Sequence, residues 1–296
     1  MISHSICPLC SSERITLYLK CADHLVSREE FDIFKCSACG FVFTREYPDE
    51  QSIGKYYESD DYISHDDNVK GFINRLYLTA RNIMLRRKRR IIGKATGHRK
   101  GKVLDIGCGT GYFAGTMKKS GWDVTGIEPN RKARDYGSKR FGIDVLSPDQ
   151  ISGLPGQSFD CITMWHVLEH LQDPFSYTTE IKRLLKSTGV CISALPNCSS
   201  LDAKCYVESW AAYDVPRHLW HFTPETYRFF AEKTGFHISR IRPLLLDVFY
   251  ISLLSEKNKG SKFQFLKGII KGSLFAFRAL FDKNKSSSLI YFLHIK

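Results

Sequence analysis

Three groups of residues in this chain have the types and spacing to do chemistry. Asp105-Ile106-Gly107-Cys108-Gly109-Thr110-Gly111 is a glycine-rich turn that opens on an acid, and Glu128 follows Gly111 by seventeen positions. Glycine there lets the backbone turn sharply and approach a ligand with no Cβ in the way. A carboxylate at the tip of the following strand can accept both hydroxyls of a ribose. His166, Glu169 and His170 stand at i, i+3 and i+4, which on a helix puts two imidazoles and a carboxylate on one face. Cys7-Pro-Leu-Cys10 and Cys36-Ser-Ala-Cys39-Gly40 are two C-x-x-C knuckles, spaced to place four thiolates around a structural zinc ion with no open position.

The elements that must position these residues can be read around them. Val103, Leu104 and Ile106 form a short buried-strand run, 112–120 reads as a helix, and 123–128 returns as a second strand ending in the acid. This is one β-α-β unit with a ligand-shaped gap at its crest. A dinucleotide site is disfavoured, because position 112 is Tyr where G-x-G-x-x-G needs its third glycine. The constellation resembles the class I S-adenosylmethionine-dependent methyltransferases, whose first motif has the form D-x-G-C-G-x-G with an acid after strand two. The resemblance implies an α/β, Rossmann-like sheet of seven strands, with strand seven antiparallel between strands five and six. It implies S-adenosylmethionine as cofactor, surrounded by Asp105, Gly107, Cys108, Gly109, Gly111, Tyr112, Glu128, Pro129, Asp149, Trp165 and His166, with Asp149 near the adenine edge.

Downstream, 131–141 reads as a helix, 143–146 as the third strand and 159–164 as the fourth, which runs directly into Trp165-His166-Val167-Leu168-Glu169-His170. Formally this is H-x-x-E-H, an inverted zinc-peptidase signature. Its place after a buried strand, with Asp173-Pro174 close behind, argues against a peptidase helix. In the resembling enzymes this stretch faces the methyl acceptor, and in ubiquinone-biosynthesis O-methyltransferases it carries acids that can hold a divalent ion; here His166 stands at the first of those positions. For an oxygen acceptor, His166 or His170 is the expected general base, oriented by Glu169. A helix over 175–185, a turn at 186–189 and a fifth strand at 190–195 follow. The aromatic stretch 208–224 is where the resembled fold builds acceptor specificity, which makes Tyr213, Arg217, His218 and His221 pocket candidates, with His218 and His221 added to the catalytic set. The alternative is a packed loop whose histidines cap the helix starting at Thr223. Strands at 236–241 and 288–294 complete the expected sheet, with a helical insertion at about 244–284.

The expected divisions are a zinc-ribbon-like domain at 1–47, a helical linker and cap at 48–98, and a methyltransferase domain at 99–296. A hydrophobic hairpin without metal is the alternative for the ribbon, and Cys21 reads as a core or free thiol. Tyr56, Tyr57 and Tyr62 can line a substrate mouth or pack on the next domain. The helix over 69–95 carries a basic run at 86–90 that reads as a solvated face, and by resemblance it covers the cofactor site.

The 296 residues hold 43 Lys and Arg against 31 Asp and Glu, a net charge of +12 that favours anionic partners. No signal peptide or membrane-spanning run is visible, and the cysteine pairing suits a reducing compartment. The expected location is cytoplasmic, with the inner face of a membrane as a peripheral site. The segment 261–283 has an amphipathic, basic pattern suited to a membrane surface, a pocket cover, its own domain or a second subunit. The turn [D/N]-P-P-[Y/F] typical of base-methylating enzymes is absent where the chain has WHVLEH, which argues against a nucleic-acid partner. The expected substrate is a small-molecule acceptor, a saccharide, including a lipid-linked one, or a quinone-like hydroxyl. A zinc ribbon ahead of a methyltransferase also resembles sugar-nucleotide C-methyltransferases over the first two-thirds. An RNA methyltransferase gripping backbone with the ribbon and basic helix is the alternative.

Overall fold

The computed structural model describes residues 1–58, 72–97 and 100–296. Tyr62 and the start of the helix expected from residue 69 fall outside them.

Five short N-terminal strands come first: β1 (Ile2–Ser3), β2 (Ile15–Ala22), β3 (Glu30–Cys36), β4 (Val42–Thr44) and β5 (Glu46–Tyr47). Helix α1 (Phe72–Ala95) leads to the alternating part of the chain: β6 (Lys102–Ile106), α2 (Tyr112–Lys119), β7 (Asp123–Ile127), α3 (Arg131–Phe141), β8 (Asp144–Leu146), β9 (Phe159–Trp165), α4 (Pro174–Leu184) and β10 (Leu185–Pro196). The C-terminal part holds α5 (Leu201–Tyr206), β11 (Trp220–His221), α6 (Pro224–Lys233), β12 (Phe236–Pro243), α7 (Asp247–Asn258), α8 (Gln264–Phe281) and β13 (Ser288–Ile295).

The large sheet has the order β12-β13-β10-β9-β6-β7-β8. Its pairs are parallel except those of β13, which runs antiparallel to both β10 and β12. This is the Rossmann-like seven-stranded order that the resemblance implies, with its last strand antiparallel between the fifth and sixth. Parallel strands bury both faces, and β6 and β10 accordingly read as near-continuous apolar runs rather than alternating ones. The expected turn at 186–189 is instead part of β10, with an irregular register between Leu185 and Val190 where Leu185 already pairs with Phe159. Local chemistry ends the helices: Asn130 caps α3 by accepting from the Ala133 N–H, and Gly142 closes it at φ 64°. Asp173 and Pro174 start α4, and Thr223 and Pro224 start α6.

β1 and β5 pair antiparallel as a two-stranded ribbon, but β2, β3 and β4 do not complete a sheet by themselves. The smaller sheet has the order β11-β4-β3-β2, so its edge strand Trp220–His221 comes from the loop beyond β10. Trp220 stacks on Phe41 at 6.2 Å and donates from Nε1 to the Leu171 carbonyl at 2.6 Å. One continuous core therefore joins Leu9, Phe41 and Phe43 to Leu104, Ile106 and Leu195.

Candidate functional site

The turn after β6 is built as its composition demands. Gly107, Gly109 and Gly111 all have positive φ. A Cβ at Gly107 would strike Val167 at 2.5 Å, so glycine there admits the loop after β9. A Cβ at Gly109 would meet nothing within 4 Å, so this backbone borders open space on the ligand side. Glu128, at the end of β7, bridges the turn: Oε2 accepts the Gly109 N–H at 2.8 Å and Oε1 the Asn130 N–H at 2.9 Å. Each carboxylate oxygen keeps a second lone pair for a ligand hydroxyl. Asp105 lies beneath the turn, 2% exposed, where it accepts from the Thr163 hydroxyl at 2.7 Å. Burial pushes its carboxyl up to about 7, against the pull of Thr163 and Lys88. Burial also raises the Cys108 thiol, which keeps it protonated and unreactive. The Trp165 indole N–H is buried with no hydrogen-bond partner among the described residues.

His166, Glu169 and His170 come together, though not on an α-helix. Only Leu168–His170 forms a single 3-10 turn, and His166 precedes it at φ 58°, a left-handed conformation uncommon outside glycine. The reason is tertiary: Val167 must reach Gly107, and the His166 N–H is tied to the Ala194 carbonyl at 3.0 Å. The imidazole lies between two carboxylates, with Nδ1 3.2 Å from Glu169 Oε1 and Nε2 2.9 Å from Asp247 Oδ2. Burial works against its charge, but Asp247 and Glu169 outweigh it and raise the pKa to about 10. The two carboxylates favour the protonated ring, which disfavours His166 as the general base expected of it.

His170 is the opposite case. Burial and then His218 lower it to about 4. Its Nδ1 lies 3.1 Å from the Arg217 carbonyl and 3.2 Å from the Tyr57 hydroxyl. With Nδ1–H donated to the carbonyl, Nε2 carries the lone pair of a neutral ring. His218 meets His170 edge-to-face at 4.5 Å and holds the Ala212 carbonyl through Nδ1 at 2.8 Å. Glu169, His170 and His218 each offer a ligand atom within 4.8 Å of the others.

His221 and Arg217 serve another purpose. His221 sits in β11, its Nε2 3.1 Å from the Thr44 hydroxyl, and burial lowers it to about 3. Arg217, 1% exposed, pairs with Asp23 at 2.8 Å and Asp214 at 2.7 Å and donates to the Tyr56 carbonyl at 2.8 Å. Tyr213 is buried against His221 and Trp210. The aromatic stretch expected to form an acceptor mouth instead clamps the N-terminal strands, because its rings and guanidinium find buried partners there.

At the other end of the smaller sheet the four cysteines converge. Cys7 and Cys39 sulfurs lie 3.7 Å apart and those of Cys10 and Cys36 3.6 Å apart. A tetrahedron with zinc–sulfur bonds of about 2.3 Å has sulfurs about 3.8 Å apart. Each knuckle turns through a left-handed residue, Ser11 at φ 62° and Gly40 at φ 78°. The Ala38 N–H points to Cys36 Sγ at 3.4 Å. The donor set and its spacing fit zinc. Cys21 is buried outside this group.

A family model for the methyltransferase domain matches residues 77–240, more than half of the chain. The chain belongs to this methyltransferase family. Among curated relatives, the ubiquinone biosynthesis O-methyltransferase of Actinobacillus pleuropneumoniae serotype 7 is 35% identical over 33% of this chain and 46% of its own length. That of Histophilus somni is 37% identical over 33% and 45%. The chain spans about half the length of the curated relatives it matches. A solved magnesium protoporphyrin IX methyltransferase from Synechocystis PCC 6803, with bound SAH, shares the fold at TM-score 0.55 and 12% identity, over 84% of this chain and 100% of that one.

Two residues that pack against Trp165 and His166 carry no sequence signal. Lys88 belongs to the basic run 86–90, and only the helical phase of α1 turns it inward. Its Nζ lies 4.3 Å from the Trp165 ring centroid, and burial lowers its pKa. Asp247 follows Leu244-Leu245-Leu246 in no motif at all, yet it completes the His166 pair. On α1, Arg81 lies over the Tyr112 ring at 4.0 Å. Pro129 follows Glu128 on the same edge, its carbonyl accepting from Arg134 at 2.7 Å. Asp149 is exposed on a 3-10 turn, where a hydrogen bond with Ser147 lowers its pKa.

Proposed function

We propose that this chain transfers a methyl group from S-adenosylmethionine to a hydroxyl of a small-molecule acceptor, and that a phenolic hydroxyl of a quinone precursor is the acceptor class. One observation carries the reading: the Gly107–Gly111 turn and the Glu128 carboxylate converge on open space, with Trp165 and the His166–His170 group following from the adjacent strand. Gly109 leaves room for the ligand backbone, Glu128 accepts from ribose hydroxyls, and the Trp165 N–H offers a donor. S-adenosylmethionine supplies a methyl group already activated by its sulfonium, so the protein's work is alignment and proton handling.

His170 Nε2 takes the acceptor's hydroxyl proton. Burial and His218 lower the pKa of His170, so its ring is neutral and Nε2 can accept a proton. The His166 imidazolium favours the oxygen anion that results. The names of the curated relatives support an oxygen acceptor of this class. Cys7, Cys10, Cys36 and Cys39 hold a structural zinc in this account.

The test is transfer of a labelled methyl group from S-adenosylmethionine to a panel of catechols, lipid-linked saccharides and RNA. Label on a catechol oxygen is expected. Transfer to RNA alone, or to the lipid-linked saccharides alone, overturns the reading.

A further inference from the structure

Helix α8 packs the wrong way round for a core helix. The face it presses on α7 is its small one: Gly268 and Gly272, with Phe275 and Ala279, are buried. A Cβ at Gly268 would lie 2.9 Å from the Leu253 Cα, and one at Gly272 3.2 Å from the Phe249 Cα. Close backbone approach on that side leaves the large side chains outside. Phe263 is 79% exposed, Leu266 59%, Ile270 59%, Phe277 58%, Leu280 65% and Phe281 79%. Such a contiguous apolar face on a described surface calls for a partner.

The charges beside it indicate which partner. Between residues 259 and 285 the chain carries seven Lys and Arg and one acid, Asp282. Lys262, Lys267, Arg278 and Lys283 are exposed, while Lys271 is engaged with Glu256 at 2.7 Å. Lys267, Lys271 and Arg278 recur at i, i+4 and i+11, along one flank of the apolar face. A second copy of this face would bring the same cations against each other, whereas a layer of anionic headgroups over an apolar interior matches both features. No helix among the described residues is long and apolar enough to cross a membrane. A helix with an outward apolar face and a basic flank lies in the interface.

We infer that the outer face of α8 seats this protein on an anionic lipid surface. The N-terminal residue of α7, Asp247, holds His166, so the hairpin that touches lipid also ends at the methyltransferase site. A surface-bound enzyme would meet lipophilic acceptors there. The inference stands on exposure and charge, and its failure would leave the methyl-transfer reading in place.

The experiment is flotation of the full chain with vesicles of phosphatidylcholine alone and of phosphatidylcholine containing phosphatidylglycerol. The wild type is expected to float with the anionic vesicles. Ile270→Asp with Phe277→Asp should lower the bound fraction about tenfold or more. Lys267→Glu with Arg278→Glu should lower it for anionic vesicles and leave S-adenosylhomocysteine binding unchanged, which also serves as the folding check for both variants. Equal flotation of wild type and both variants overturns the proposal. So does a wild type that fails to float and sediments as a dimer, with the Ile270→Asp, Phe277→Asp variant a monomer, because the face then joins two copies.

Discussion

At Gly107 an added methyl group has no space. Gly107→Ala combines the 2.5 Å contact with Val167 and a φ of +66°, so it should destabilise the fold by about 1–3 kcal/mol, read from denaturant midpoints. Gly109, equally left-handed but open, should cost less stability when changed to Ala while weakening the cofactor more. His166 gives a pH signature. Its pKa rises from 6.5 to about 10 on folding, so its ion pairs stabilise the protein fully below pH 6.5 and are lost as pH climbs through 10. Wild-type stability should therefore fall between pH 7 and pH 10 more steeply than that of His166→Gln, in chemical denaturation at each pH. Equal slopes would contradict the doubly paired imidazolium. The i, i+3, i+4 spacing had located this group in the sequence but not its conformation: the helix it suggests is overridden by Val167 reaching Gly107, a tertiary demand with no local signature.

At the scale of elements, Arg217 is the tie between the N-terminal strands and the rest. Arg217→Ala leaves Asp23 and Asp214 without their shared cation, and Asp23 is fully buried. Removing one partner of such a pair costs about 3–5 kcal/mol, which should appear as a lowered melting temperature. The proposed zinc makes a parallel case: elemental analysis should find a single zinc ion per chain, Cys36→Ser should lose it, and chelation should loosen β2–β4 with little change in cofactor affinity. Zinc-free wild-type protein with unchanged stability would contradict the structural site. The alternation of strands and helices from β6 to β10 was readable because buried parallel strands and capped helices write their own pattern. The destination of 208–224 was not. Aromatic and basic residues look alike whether they line a pocket or clamp a neighbouring sheet, and only the burial of Arg217 and His221 distinguishes the two.

At the scale of the molecule, the seven-stranded order with its antiparallel β13 was implied by the family resemblance that the motif after β6 carries, and a terminal apolar run almost two hundred residues on supplied its last strand. The smaller sheet was only half legible, since its fourth strand comes from the connection between β10 and β12 of the larger one. The outward face of α8 was legible as amphipathic pattern but not as direction, because a small face and a large face both satisfy helical periodicity. The site at the centre depends on the glycine turn and Glu128 acting together, and the most direct measurement is calorimetric titration of S-adenosylhomocysteine into wild type and Glu128→Gln. The account predicts saturable one-to-one binding to the wild type and an affinity about tenfold to a hundredfold weaker in the variant, as expected for loss of hydrogen bonds to a charged carboxylate. No binding to the wild type, or equal affinity in the two, would contradict it.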